Sequence, residues 1–326
     1  MTGGTGSSTT GTPGPTASTA STSATGARPP ASANSMSMSM AGMSTAGGLS
    51  SMSPMTALLL ALVAVGGRAG LDLGVGVATG ELWQRGVEAI NAAAIAAVVL
   101  QFSAGDPPRR PWLALLVAMG LVPIIRLVSY LGVMVGGIKL AHLLLIFGNI
   151  VMAASIIGFG RVLGSSELLS DRRAEDRVRA TAFLGALALI AVAIIGYNTL
   201  GLAGRGLPVG AGAWVAAVAA VVSTLCDALV FAGGLYLMWL VRPLIGGSLA
   251  RPYLLLAVGA GAFLVVDIFL VAAGAITQTE LVATDMWTLA PKWLGCLAFT
   301  GFALAAATQA ALLRSARRRV ERRRGR

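Results

Sequence analysis

With 326 residues, 56% of them apolar and only 11% charged, at a mean hydropathy of +0.80, the chain is too oily for a soluble domain and must meet lipid. Its formal charge of +11 does not mark a nucleic-acid binder, because eight of the 24 basic residues lie between Arg314 and Arg326 and most others flank apolar runs. Cys226 and Cys296 stand alone in apolar stretches, which argues against a disulfide framework or a thiolate zinc site and reads them as small packing residues.

Residues 1–51 are Thr, Ser, Gly, Ala, Pro and Met with Arg28 as the sole charge. Such a segment buries too little apolar surface to offset the entropy of ordering it, so a disordered tail is expected. Met36, Met38, Met40, Met43, Met52 and Met55 could offer thioethers to Cu(I), but the compositional bias reads as low complexity. From residue 52 to 313 the apolar runs predict an all-α transmembrane bundle. Crossing the hydrocarbon takes about 20 helical residues. Spans are expected at 52–67, 86–104, 112–131, 139–160, 179–199, 213–241, 253–276 and 292–313, eight in all, or seven if the short first run does not cross.

Basic residues in the gaps set an expected orientation. One alternating set of segments carries eighteen Arg, including Arg109, Arg110, Arg161, Arg172, Arg173 and the C-terminal group; the other carries Arg68, Arg85, Lys139, Arg205 and Lys292. That asymmetry puts both termini in the cytoplasm and the protein in the cell membrane. The tail 314–326 presents Arg317, Arg318, Arg319, Arg322, Arg323 and Arg324 where anionic lipid headgroups attract about 1 kcal/mol per basic residue. Nucleic acid is not an expected partner of so short an arm.

Three charges fall inside predicted spans, where each costs at least about 2.5–3.5 kcal/mol unless it finds a partner or water. Arg126 lies in the third, Asp227 at the middle of the sixth and Asp267 near the middle of the seventh. Ala213, Ala216, Ala220, Ser223, Asp227 and Gly234 form one stripe of small and polar residues of the kind that packs helix on helix. Ala260, Asp267 and Gly274 share a face of the next helix, and Pro123, Arg126, Ser129 and Tyr130 cluster on the third. Two acids against one base leave a carboxylate that must be protonated, reach water or bind a cation. A second polar group is expected nearer the outer face, from Glu88 and Asn91 on the second span and Lys139, His142 and Asn149 on the fourth. Pro123, Gly233 and Gly234 are candidate helix breaks of the sort found at transporter sites.

A single His and the lack of a His/Cys/Glu cluster argue against haem and tight zinc sites. Neither Lys is at midspan for a retinal Schiff base, and phosphate-loop and dinucleotide fingerprints are absent. No cofactor or metal is therefore expected.

The segment from about 83 to 165, with RRPWLALLVAMGLVPIIRLVSYLG followed by a long apolar helix ending FGRVLGSSELL, resembles the N-terminal membrane module of CPBP (CAAX-type) intramembrane proteases. That family's catalytic half carries a Glu pair with a downstream Arg and two His. This chain has neither the Glu pair nor a second His, so no catalytic residue transfers and enzyme activity is disfavoured. Two functional readings follow from the residues: a carrier of a small solute, cation or protons through a site of Asp227 and Asp267 with Arg126 as counter-charge, or a non-catalytic scaffold, sensor or complex subunit in which these charges join helices. The second implies a membrane-protein partner or a homo-oligomer.

Overall fold

The structure is a computed structural model that describes residues 53–164, 209–242, 248–276 and 286–324. The expected tail 1–51 and the expected span 179–199 lie outside these residues. Seven long helices make up almost all of what is described: α1 (Pro54–Gly74), α2 (Val77–Val99), α3 (Arg109–Tyr130), α4 (Leu140–Gly164), α5 (Ala211–Val241), α6 (Arg251–Ile276) and α7 (Met286–Arg324). Six of them are long and apolar enough to cross a bilayer, all but α2. The protein is an all-α, multi-pass membrane bundle.

Local sequence explains the helix ends. Ser53 caps α1 by accepting from the Thr56 amide at 3.0 Å, with Pro54 opening the helix, because the first turn has amides to satisfy and no need of the proline N–H. The connection from α1 to α2 is Val75 and Gly76 alone, and Gly76 takes φ +130°, a conformation that disfavours any side chain. α1 is 21 residues long and α2 begins nine residues before the expected start at 86. The first apolar run therefore continues past Arg68 and Asp72 to a full crossing length. A hairpin the apolar pattern did not signal joins α3 to α4. Met134–Val135 (β1) pairs antiparallel with Ile138–Lys139 (β2) across Gly136 and Gly137, both at positive φ, as a type I′ turn needs.

Helix adjacency closes a ring. α2 packs on α3, α3 on α4, α4 on α5, α5 on α6, α6 on α7, and α7 returns to α2; α1 lies against α2 and α7. Tails of lipid are as apolar as leucine, so close approach rather than hydrophobic force must hold such a ring. Glycines supply the approach. A β-carbon on Gly301 of α7 would stand 2.8 Å from the Gly259 backbone of α6, and one on Gly234 of α5 would stand 2.9 Å from the Ala257 backbone. Gly233 and Gly234 thus serve contact, and α5 runs unbroken through them, as α3 runs through Pro123. Edge-on rings of Trp112, Phe159 and Tyr253, with centroids 5.2 and 5.8 Å apart, tie α3, α4 and α6. Leu58, Leu59, Leu62 and Val63 of α1 are more than half exposed, a surface suited to acyl chains.

Two expected packing faces differ. Along α3 the buried residues are Trp112, Leu115, Ala118 and Met119, while Pro123, Ser129 and Tyr130 are exposed. The bulky apolar stripe wins the interface over the polar one. On α5 the small-residue stripe is buried at Asp227 and Gly234, but Ala213 and Ala220 are exposed among the described residues. α7 is 39 residues long, about 58 Å at the helical rise against about 30 Å of hydrocarbon. The Arg-rich segment 314–324 is therefore a continuous helical extension rather than a separate tail.

Gly301→Ala should lower unfolding stability in detergent by about 1–3 kcal/mol, the usual effect of overpacking. Gly66→Ala, whose β-carbon would meet nothing within 4 Å, should be neutral or stabilising through helix propensity. Denaturant titration of the two variants checks the difference.

Candidate functional site

Two polar systems occupy the ring's interior. The first runs along the face of α2 on which Gly80, Gln84, Glu88 and Asn91 recur at helical spacing and are buried. Arg68 of α1, fully buried, donates from Nε to Asp72 Oδ2 at 2.8 Å, and from Nη1 to the Gly80 carbonyl at 2.5 Å and to Gln84 Oε1 at 3.0 Å. Trp293 of α7 donates its indole N–H to Asp72 Oδ2 at 2.9 Å. Gln84 Nε2 then donates to Glu88 Oε1 at 3.2 Å, and the same oxygen receives Arg126 Nη2 of α3 at 2.7 Å. Four helices are thus laced by one chain of charge and amide. It requires glycine at position 80, where a β-carbon would stand 1.9 Å from Asp72 Oδ1.

This chain alters the expected assignment of charges. Arg126, read from sequence as the counter-charge of Asp227 and Asp267, has Glu88 as its ion-pair partner. Glu88, expected near the outer face, is the middle residue of the 23 in α2, because that helix starts earlier than its apolar run. Arg68, Arg85 and Lys292, counted among loop charges, lie inside helices. Arg68 and Asp72 were the residues missed: their i,i+4 spacing was a readable signal, but ending the first span at 67 hid it.

The second system is a cavity of about 400 Å³ walled by all six helices of the ring. Asp227 reaches it from α5, Asn149 from α4 and Arg126 from α3; Glu81 and Lys292 line it too, 3.7 Å apart as an ion pair between α2 and α7. Asp227 is 4% exposed and one residue from the centre of α5. Asp267 stands behind it, its Oδ2 accepting from Thr224 Oγ1 at 2.7 Å, one turn before Asp227, and the two carboxylates are within electrostatic reach of each other. Among the described residues neither has an ion-pair partner.

The expected outer group separates. Glu88 joins the polar chain, Asn149 lines the cavity, Asn91 is buried with neither amide atom partnered, and His142, whose Nδ1 is unpartnered, does not line the cavity. Lys139 is in the α3–α4 hairpin. Arg317, Arg318, Arg322, Arg323 and Arg324 are exposed on the α7 extension, with Arg317 also donating to the Gln101 carbonyl. Among the described residues no group of three His, Cys, Asp or Glu could hold a metal ion.

Comparison with known protein families, curated proteins and solved structures finds no match to this chain. What the site does must be argued from its own geometry.

Removing one partner of a fully buried pair strands the other charge, at about 3–5 kcal/mol. Arg68→Met should therefore destabilise the protein by that amount. Arg126→Met should cost less, since Glu88 would keep its hydrogen bond from Gln84. Adding Asp72→Leu to Arg68→Met should recover most of the loss, read by unfolding in detergent.

Proposed function

We propose that the chain is a membrane carrier that takes a small cation or protons through the ring cavity, with Asp227 as the binding or titrating carboxylate and Asp267 behind it. The observation that carries this reading is Asp227 itself, a carboxylate at mid-helix, buried, facing an internal cavity and free of any cationic partner among the described residues. A charge so placed is rare in a membrane unless it serves a pathway. Of the charges that line the cavity, Lys292 stands against Glu81 and Arg126 against Glu88 just behind the wall, which leaves Asp227 as the lining carboxylate available to a cationic guest. Scaffolding accounts well for the paired charges, Arg68 with Asp72 and Arg126 with Glu88, but it leaves Asp227 unexplained.

In the same reading the protein lies in the cytoplasmic membrane with both termini inside. The excess of Arg in one alternating set of segments supports this orientation. The α7 extension would then meet anionic headgroups.

In proteoliposomes under an imposed potential, wild-type protein should carry protons and Asp227→Asn should reduce the flux at least tenfold, with Asp267→Asn also impaired and both variants keeping their wild-type melting behaviour. Wild-type flux in Asp227→Asn would sink the proposal. Replacing Arg317, Arg318, Arg322, Arg323 and Arg324 with Gln should lower the phosphatidylglycerol enrichment of nanodiscs extracted from mixed bilayers, and 1 M salt should do the same to wild type by screening.

A further inference from the structure

The walls of the cavity say more about the guest than its charge does. A bare metal ion needs about six or more oxygens drawn close around it, and among the described residues no three His, Cys, Asp or Glu gather to hold one. The volume of about 400 Å³ would hold roughly a dozen waters at about 30 Å³ each, far more than a single proton acceptor requires. It lies instead in the range of about 300–1,000 Å³ typical of sites for organic molecules. Much of the lining is apolar: Met119 and Met152 from α3 and α4, Phe263 and Phe299 from α6 and α7. The two phenylalanine rings stand edge-on at 5.2 Å, giving a stiff wall that can take an apolar body or the face of a cation.

Among the described residues two polar groups in that lining have no partner. Asp227 accepts no hydrogen bond and no ion pair from the described residues. Asn149 is 8% exposed, and its Nδ2 is a buried donor with no acceptor. Nine buried side-chain N and O atoms have no partner among the described residues, and Asn149 Nδ2 is the one that belongs to a residue of the cavity wall, where a guest could satisfy it. One group asks for a cation with N–H donors and the other for a neutral acceptor. The guanidinium of Arg126 and the ammonium of Lys292 already face Glu88 and Glu81, so a guest carboxylate would have to compete with both.

We infer that the cavity binds a small amphipathic amine, its ammonium on Asp227, a hydroxyl or carbonyl on Asn149 and its apolar body between the Phe263–Phe299 wall and the two methionines. The inference rests on the proposed role of Asp227 as the cavity's binding carboxylate and names the class of guest.

Calorimetric titration of the full-length protein in nanodiscs tests it, with 2-amino-1-phenylethanol, 2-phenylethylamine, leucine, sodium and potassium as probes. Both amines should bind, the hydroxylated one at least fivefold tighter, with leucine and the metal ions weaker than either. Asp227→Asn should weaken both amines at least tenfold. Asn149→Leu should remove the advantage of the hydroxyl, so that the two amines bind within twofold of each other. Met119→Trp, which adds bulk to the cavity wall and leaves every polar lining residue in place, should abolish amine binding even if the polar variants fold poorly. Absence of saturable amine binding, or tighter binding of leucine or of a metal ion, overturns the inference. Proton flux that needs Asp227 in a protein binding no amine would overturn the amine guest and leave the proton carrier standing. Amine binding lost in Asp227→Asn without any proton flux would keep the guest and remove the proton coupling.

Discussion

An ionised group inside a bilayer has no water to lean on, and this bundle is organised around meeting that need. Arg68 illustrates how it is met, with Nε and Nη1 partnered and Nη2 left without a partner among the described residues. Its guanidinium is fully buried and is held by Asp72 on its own helix and by Gly80 and Gln84 on the next, while Trp293 secures the carboxylate from the adjoining α7. At the effective dielectric of a protein interior a pair at this distance attracts strongly, yet it only offsets the loss of hydration. The contribution of such a chain is therefore geometric. It fixes which faces of α1, α2, α3 and α7 meet, since any other rotation would strand a charge.

Close backbone contact completes what the charges begin. Between α6 and α7 and between α5 and α6 the helices touch at Gly301, Gly259 and Gly234, which lets dispersion and packing act over short distances where no hydrophobic force separates protein from lipid. With its perimeter drawn tight at such points, a ring of six helices still leaves an interior space, and the apolar side chains there do not fill it. The cavity is a consequence of ring closure, and its chemistry follows from which helix faces the charges have turned inward.

Within that space the accounts of structure and of function divide by pairing. Arg68, Asp72, Glu88 and Arg126 have partners at 2.7–2.8 Å and act as joints. Among the described residues Asp227 has none, and Asp267 is steadied only by Thr224. Carboxylates left in that condition are the ones able to exchange a proton or accept a cation. The Lys292–Glu81 pair, looser and partly exposed at 3.7 Å, stands between these cases, being weak enough to yield to a passing charge.

Much of this protein is written in composition and period. Apolar run lengths place helices at seven of the eight expected positions, six of them long and apolar enough to cross and α2 not, with the eighth outside the described residues, because crossing a bilayer is a local demand on each segment. Asp227 and Asp267 were recognisable as out of place for the same reason. The partner of each charge was not recognisable, since Glu88 and Arg126 are far apart in sequence and on different helices. Nor could hydropathy show that the first span runs on through Arg68 and Asp72, because a buried ion pair reads as a loop until its neutralising contacts are known. The tertiary structure alone determined who pairs with whom, and so which carboxylate is left facing an open cavity: lipid tests each helix separately, whereas charge is balanced only over the assembled ring.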